Sequence, residues 1–207
     1  MQDVNNLPIY GVREALQRLS LAGDVRQQAA LSEVAWSILE PYETPAGRLG
    51  SRLSNAWLGG SSRSVQLVHH SLLSHPASEP WLQPLADAVK QASDAELLGT
   101  CVDPRLARHN TVWRISATPG DILDFFNAHM YGPFHMLFTR DLSLAICANE
   151  GDFAAVAAPA TMLRQVLPPD EQGPAATQDL QEGLEEEHGE GFLDGILAHY
   201  APFALDA

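Results

Sequence analysis

A chain of 207 residues, 45% hydrophobic and 18% charged, has the means to bury a core and does not have the composition of a disordered chain. Its 12 Lys and Arg against 26 Asp and Glu leave a formal charge of -14, which argues against nucleic acid and anionic membrane as partners, since both repel such a surface. No apolar run approaches the ~18 residues that span a bilayer, and "MQDVNNLPIYGVREAL" has neither the basic nor the apolar region of a secretory signal, so the expected location is cytoplasmic.

Residues 1–98 read as a mainly helical region. Val12, Ala15, Leu16 and Leu19 form one stripe at helical spacing. Leu31, Val34, Ala35, Ile38 and Leu39 form a second, which Pro41 should end. Leu49, Leu53, Ala56 and Trp57 make a third, stopped at Gly59 and Gly60. In "SVQLVHHSLLSH" the spacing of Val65, Val68 and Leu72 favours a helix, while Val65 and Leu67 also allow a strand. Leu82, Leu85, Ala86 and Val89 give a further helix, with Pro80 in its first turn.

Residues 99–167 read as an α+β region that forms one compact domain with the first. "GTCVDPRLARHN" has the texture of a loop, and "TVWRIS" that of a strand. "TPGD" starts a helix: Thr118 caps it, Pro119 takes the first position, and Asp121 faces the positive helix end. Ile122, Phe125, Phe126 and His129 follow on one face. "FHMLFTRDLSLAICANEGDFAAVAAP" then predicts three strands with turns at 139–141 and 149–152. A three-residue first turn sets Phe138 by Leu142, Met136 by Leu144 and Phe134 by Ile146, giving one apolar face. Pro159 opens a short helix that points Leu163, Val166 and Leu167 inward. The order β-α-β-β-β-α describes an antiparallel meander with helices on one face, an α+β layout.

Residues 168–207 read as a linker, "PPDEQGPAATQ", then an acidic segment, then a helix that docks through Phe192, Leu193, Ile196, Leu197 and Tyr200.

The residue types that carry chemistry do not assemble into a catalytic set. His69, His70 and His75 are badly spaced for one metal, and no H-E-x-x-H motif occurs. His129 belongs to an apolar stripe, and His135 alternates with Phe134 and Met136, which puts it on a polar sheet face. Neither Cys101 nor Cys147 belongs to a C-x-x-C pair. Cys101 lies near Asp103 and His109 in sequence, which leaves a thiol nucleophile open, whereas Cys147 reads as a packing residue. "GGSSRS", Gly59 to Ser64, lacks the lysine and spacing of a phosphate loop and reads as a turn between helices. Asp121, Asp124, Glu150 and Asp152 are the carboxylates placed for glycoside chemistry, but capping and turn roles account for Asp121, Glu150 and Asp152. No catalytic residue, metal or cofactor is assigned.

The charge asymmetry remains. Arg164 is the last basic residue, and ten carboxylates follow it. Glu182, Glu186 and Glu190 repeat every four residues, a spacing that costs a helix ~0.2–0.5 kcal/mol per pair. Mixed signs would serve solubility better, so a one-signed ridge points to a cationic partner.

"FHMLFTRDLSLAICANEGDFAAVAAPATMLRQVL", Phe134 to Leu167, resembles a pattern in small cytosolic bacterial immunity proteins of polymorphic and contact-dependent toxin systems: aromatic strand, turn, hydrophobic strand, acidic Gly turn, strand, Pro-started helix. The resemblance implies a stoichiometric inhibitor of a cognate toxin. The combined expectation is a non-enzymatic acidic protein that occludes a basic protein partner, such as a secreted toxin. Glu182, Glu185, Glu186, Glu187, Glu190 and Asp194 would steer and pair, and Tyr200 and Phe203 would anchor. A secretion chaperone or adaptor, and a small cysteine- or metal-dependent hydrolase, are the alternatives.

Overall fold

A computed structural model describes residues 20–44, 47–91, 96–104, 111–128, 134–149 and 152–206. The helix expected over 12–19 lies outside them, as do His109, His129 and Glu150.

Strand β1 (Ser20–Leu21) leads into helix α1 (Val25–Ser37). Asp24 caps α1 by accepting the N–H groups of Arg26 and Gln27 at 2.9 and 3.0 Å, and the Gln27 side chain accepts the Asp24 N–H at 2.9 Å. The helix stops at Ser37, ahead of Pro41. Pro41 lies instead in β2 (Leu39–Glu43), opposite Ser51 of β3 (Leu49–Leu53). A two-stranded ribbon has an outer edge on each strand, and a proline is tolerated where no ladder bond is needed. The helix expected over Leu49–Trp57 is therefore a strand followed by the short α2 (Asn55–Gly59), capped by Ser54.

β4 (Arg63–His69) corrects the helical reading of "SVQLVHH"; only α3 (Ser71–Ser74) beyond it is helical. Val65 to Val68, the polar Gln66 included, are all buried because both faces of β4 are covered, so the strand lacks the in–out alternation of a sheet with one wet face. The first half is thus mixed, not mainly helical. Helix α4 (Glu79–Gln91) has Pro80 in its first turn, as expected.

β5 (Leu97–Cys101) occupies sequence that reads as loop. Gly99 explains the disguise: a Cβ there would fall 2.4 Å from the Phe125 ring, so glycine lets that ring lie on the sheet. β6 (Val112–Ile115), α5 (Pro119–Ala128), β7 (Phe134–Thr139), β8 (Ala145–Asn149), β9 (Phe153–Pro159) and α6 (Ala160–Val166) come in the expected order. The Thr118 hydroxyl accepts the Asp121 N–H at 3.2 Å, the cap anticipated for α5. The linker expected from Pro168 to Gln178 is largely ordered helix, since α7 runs from Gly173 to His188 and α8 from Asp194 to Tyr200.

Among the described residues, seven strands form one antiparallel sheet in the order β1-β6-β5-β7-β8-β9-β4, with β2–β3 as a separate ribbon. One face carries Val65, Leu67, Phe134, Met136, Phe138, Cys147 and Phe153 beneath α1, the ribbon, α7 and α8. The other carries Val68, Leu137, Ile146, Ala154 and Val156 beneath α3 to α6. Helices therefore cover both faces, not one.

The hairpin register differs from the expected one for the same reason. Phe138 faces Ala145, Met136 faces Cys147, and Phe134 faces Asn149. The turn spans four residues, 140–143. Leu142 takes a left-handed φ of 57°, and Asp141 accepts both the N–H and the hydroxyl of Ser143. Choosing the register by one apolar face fails for a sheet that buries two. His135, expected on a polar face, is buried.

Candidate functional site

The acidic segment is α7 and its C-terminal turn. Ala176, Leu180 and Leu184 at four-residue spacing make the inward stripe. The N-terminus of α7 is pinned by the buried Gln66 of β4. Its Oε1 accepts the Gly173 N–H at 2.8 Å, and its Nε2 donates to the Thr177 hydroxyl at 3.0 Å. The helix ends at Gly189, φ 104°, whose N–H bonds the Glu185 carbonyl at 2.9 Å.

Glu182, Glu186, Glu187, Glu190 and Asp194 are all solvent-exposed, and Glu185 is half-buried. Glutamine side chains temper part of the charge: Gln178 donates to Glu182 and Gln181 to Glu185, both at 2.8 Å. Glu185 also accepts the Gly191 N–H at 3.2 Å, which braces the turn. Glu190 lies beyond the end of α7. The four-residue repulsion thus applies to Glu182 and Glu186 and not to Glu190.

The two expected anchors sit deeper than expected. Tyr200 is only 3% exposed, and its hydroxyl accepts the Leu53 N–H at 3.1 Å. Burial pushes its phenol well above the ordinary value. It fastens α8 to the ribbon and is not presented to solvent. Phe203 is half-buried, packed over Gly59. His199 completes the joint, with Nε2 2.9 Å from the Leu53 carbonyl and Nδ1 3.8 Å from Glu40.

Between the ribbon and the α7–α8 turn lies a cleft of about 570 Å³, lined by Pro41, Tyr42, Glu43, Arg52, His188, Gly189, Glu190, Gly191, Phe192, Gly195 and Ile196. Arg52 is committed there: it donates to Glu40 at 2.9 and 3.1 Å and lies over the Tyr42 ring at 5.3 Å. The Tyr42 hydroxyl donates to Asn149 at 2.7 Å, which holds the ribbon to the sheet. His188 stacks on Phe192, with centroids 4.3 Å apart and planes 20° apart, and sits 3.4 Å from Asp152. Burial raises the Asp152 pKa, and His188 opposes that shift. The side-chain carboxylates of Glu43 and Glu190 make no hydrogen bond or ion pair among the described residues. Sequence reading missed His188 and Glu43, and gave Phe192 a docking role only. The string "EHGEGF", an imidazole and an aromatic flanking the helix-ending Gly189 and the turn glycine Gly191, was the available signal.

The other sequence candidates have local roles. His69 accepts the Ser71 N–H at 3.1 Å, His75 accepts the Ala77 N–H at 3.1 Å, and His70 is buried edge-on to Phe126. No group of three or more His, Cys, Asp or Glu among the described residues is arranged to hold a metal ion. Arg63 stacks on Trp57 at 4.1 Å and donates to the carbonyls of Trp57 and Leu142, so "GGSSRS" is a turn between a helix and a strand. Cys101 and Cys147 are not joined in a disulfide. Cys147 is fully buried, with its thiol pushed up to about 12 by burial, which suits packing. Cys101 is half-buried and stands opposite the buried His135 in the β5–β7 register, two residues before the buried Asp103.

Comparison of the chain with protein-family models, curated proteins and solved structures finds no match. No helix among the described residues is long and apolar enough to cross a membrane.

Proposed function

We propose that this is a non-enzymatic binding protein of the immunity type, which neutralises a basic protein, a toxin, by occlusion. One observation carries the reading. Glu182, Glu186, Glu187, Glu190 and Asp194 are presented to solvent on a docked helix and its turn, in a stretch with no lysine or arginine after Arg164. A ridge of one sign on a rigid element attracts cationic surfaces from a distance, raises association rates and rejects anionic competitors. Affinity then comes from desolvated contacts beside it. Tyr200 is left out of this face because it is internal, and Glu185 acts through the turn it holds. The test is capture by the tagged full chain at low and high salt. The expected result is a basic protein that is released by salt and whose activity is suppressed in a stoichiometric complex. Capture that is indifferent to salt, or a captured protein still fully active, speaks against it; the active case favours a chaperone or adaptor.

A thiol enzyme is the second reading, favoured by the placement of Cys101 across from His135. Imidazole beside a thiol can lower its pKa and take its proton. Alkylation at neutral pH decides between the readings. An enzyme requires Cys101 to react far faster than an ordinary thiol, and a binding protein does not.

A further inference from the structure

The cleft beside the acidic ridge has its own chemistry. We propose that it receives an arginine side chain of the protein partner, a role that rests on the binding function proposed above. Three features converge. Glu43 from β2 and Glu190 from the turn both line the cleft, and neither side-chain carboxylate is bonded among the described residues. The C-terminal end of α7, at His188 and Gly189, opens into the same space, and a helix C-terminus carries the partial negative charge that favours a cation. The stacked His188–Phe192 pair lines it as well, and a planar guanidinium lies against an aromatic face better than an ammonium does.

The resident cation does not fill this role. Arg52 is occupied by Glu40 and Tyr42. His188, the other group in the lining able to carry positive charge, faces Asp152 at 3.4 Å. The volume also fits: about 570 Å³ lies inside the range of small-ligand sites and admits a side chain with its flanking backbone. Glycines keep it open. A Cβ at Gly189 or Gly195 would meet nothing within 4 Å. Gly195→Leu therefore adds bulk to the lining without a clash at its own Cβ, at a helical position where leucine is the better former.

The experiment titrates N-acetyl-arginine amide into the isotope-labelled full chain and follows backbone amide resonances. Saturable shifts are expected, centred on Gly189, Gly191, Phe192 and Gly195. The lysine analogue should bind more weakly. Glu43→Gln with Glu190→Gln should weaken arginine binding about tenfold or more, the loss expected for charge-assisted hydrogen bonds. Gly195→Leu should abolish it, and Glu79→Gln, at an exposed carboxylate of α4 on the opposite face of the sheet, should leave it unchanged. Shifts spread along α7 but absent from the cleft would overturn the inference, as would equal binding of the lysine analogue or full binding by Gly195→Leu. Any of these would leave the binding-protein reading standing if salt-sensitive capture persists. Loss of that capture alone, with arginine still entering the cleft, would instead count against the ridge.

Discussion

Gln66→Leu tests how the acidic helix is held. Gln66 is 1% exposed and satisfies three groups: the Gly173 N–H at 2.8 Å, the Thr177 hydroxyl at 3.0 Å and the Leu67 carbonyl at 3.0 Å. Leucine keeps most of the volume and none of the bonds. The Thr177 hydroxyl still donates to the Gly173 carbonyl at 3.2 Å, so it keeps one bond. The Gly173 N–H is left buried without its acceptor. One unsatisfied buried donor costs about 1–3 kcal/mol, and the lost bonds add to it, so we expect about 2–3 kcal/mol in all. For a chain of this size that lowers Tm by about 5–10 °C. Thr177→Val, which leaves the Gln66–Gly173 bond in place, should cost about 1 kcal/mol. Denaturant unfolding gives the totals. Hydrogen exchange at 173–180 should show faster opening in Gln66→Leu, localised to the start of α7. A variant within about 0.5 kcal/mol of the parent, or exchange unchanged there, would refute the claim that Gln66 pins the ridge.

Two further outcomes concern buried groups. His70 is held neutral by burial and by neighbouring His69, with its pKa lowered from 6.5 to about 4. The unfolded chain takes up that proton first, so its contribution is intact above pH 6.5, is lost as pH falls through the window and levels off below about 4. The full span corresponds to about 3 kcal/mol, and unfolding of His70→Leu against the parent at several pH values should show the gap between them close or reverse by that amount; a constant gap contradicts it. Gly99→Ala puts a methyl 2.4 Å from the Phe125 ring, inside a core with nowhere to move it, and should cost about 1–3 kcal/mol by thermal or urea unfolding. A neutral effect would mean that the close ring–strand approach is absent.

Where one face of an element is buried, its periodicity is readable, and α4, α5 and α6 lie where their apolar spacing and starting prolines put them. Reading fails where tertiary context reverses the local signal. β4 is buried on both faces, so Val65, Val68 and Leu72 match a helix by coincidence. β5 hides behind Gly99, whose missing side chain answers Phe125, a residue 26 positions away. Pro168 to Gln178 looks like a linker because the acceptor that starts α7 is the side chain of Gln66, more than a hundred residues earlier. The acidic ridge was legible from charge alone. The cleft was not, because its walls come from Glu43 and Arg52 on one side and His188 to Ile196 on the other, and only folding brings them together.

The most direct measurement is the association rate and Kd of the purified protein with its captured partner, over a range of ionic strength, for the parent and for Glu182→Lys with Glu186→Lys and Glu187→Lys. An electrostatically steered complex predicts that the reversed variant associates at least about tenfold more slowly at low salt and loses most of the salt dependence. Equal rates and equal salt slopes for the two proteins would contradict steering by the ridge.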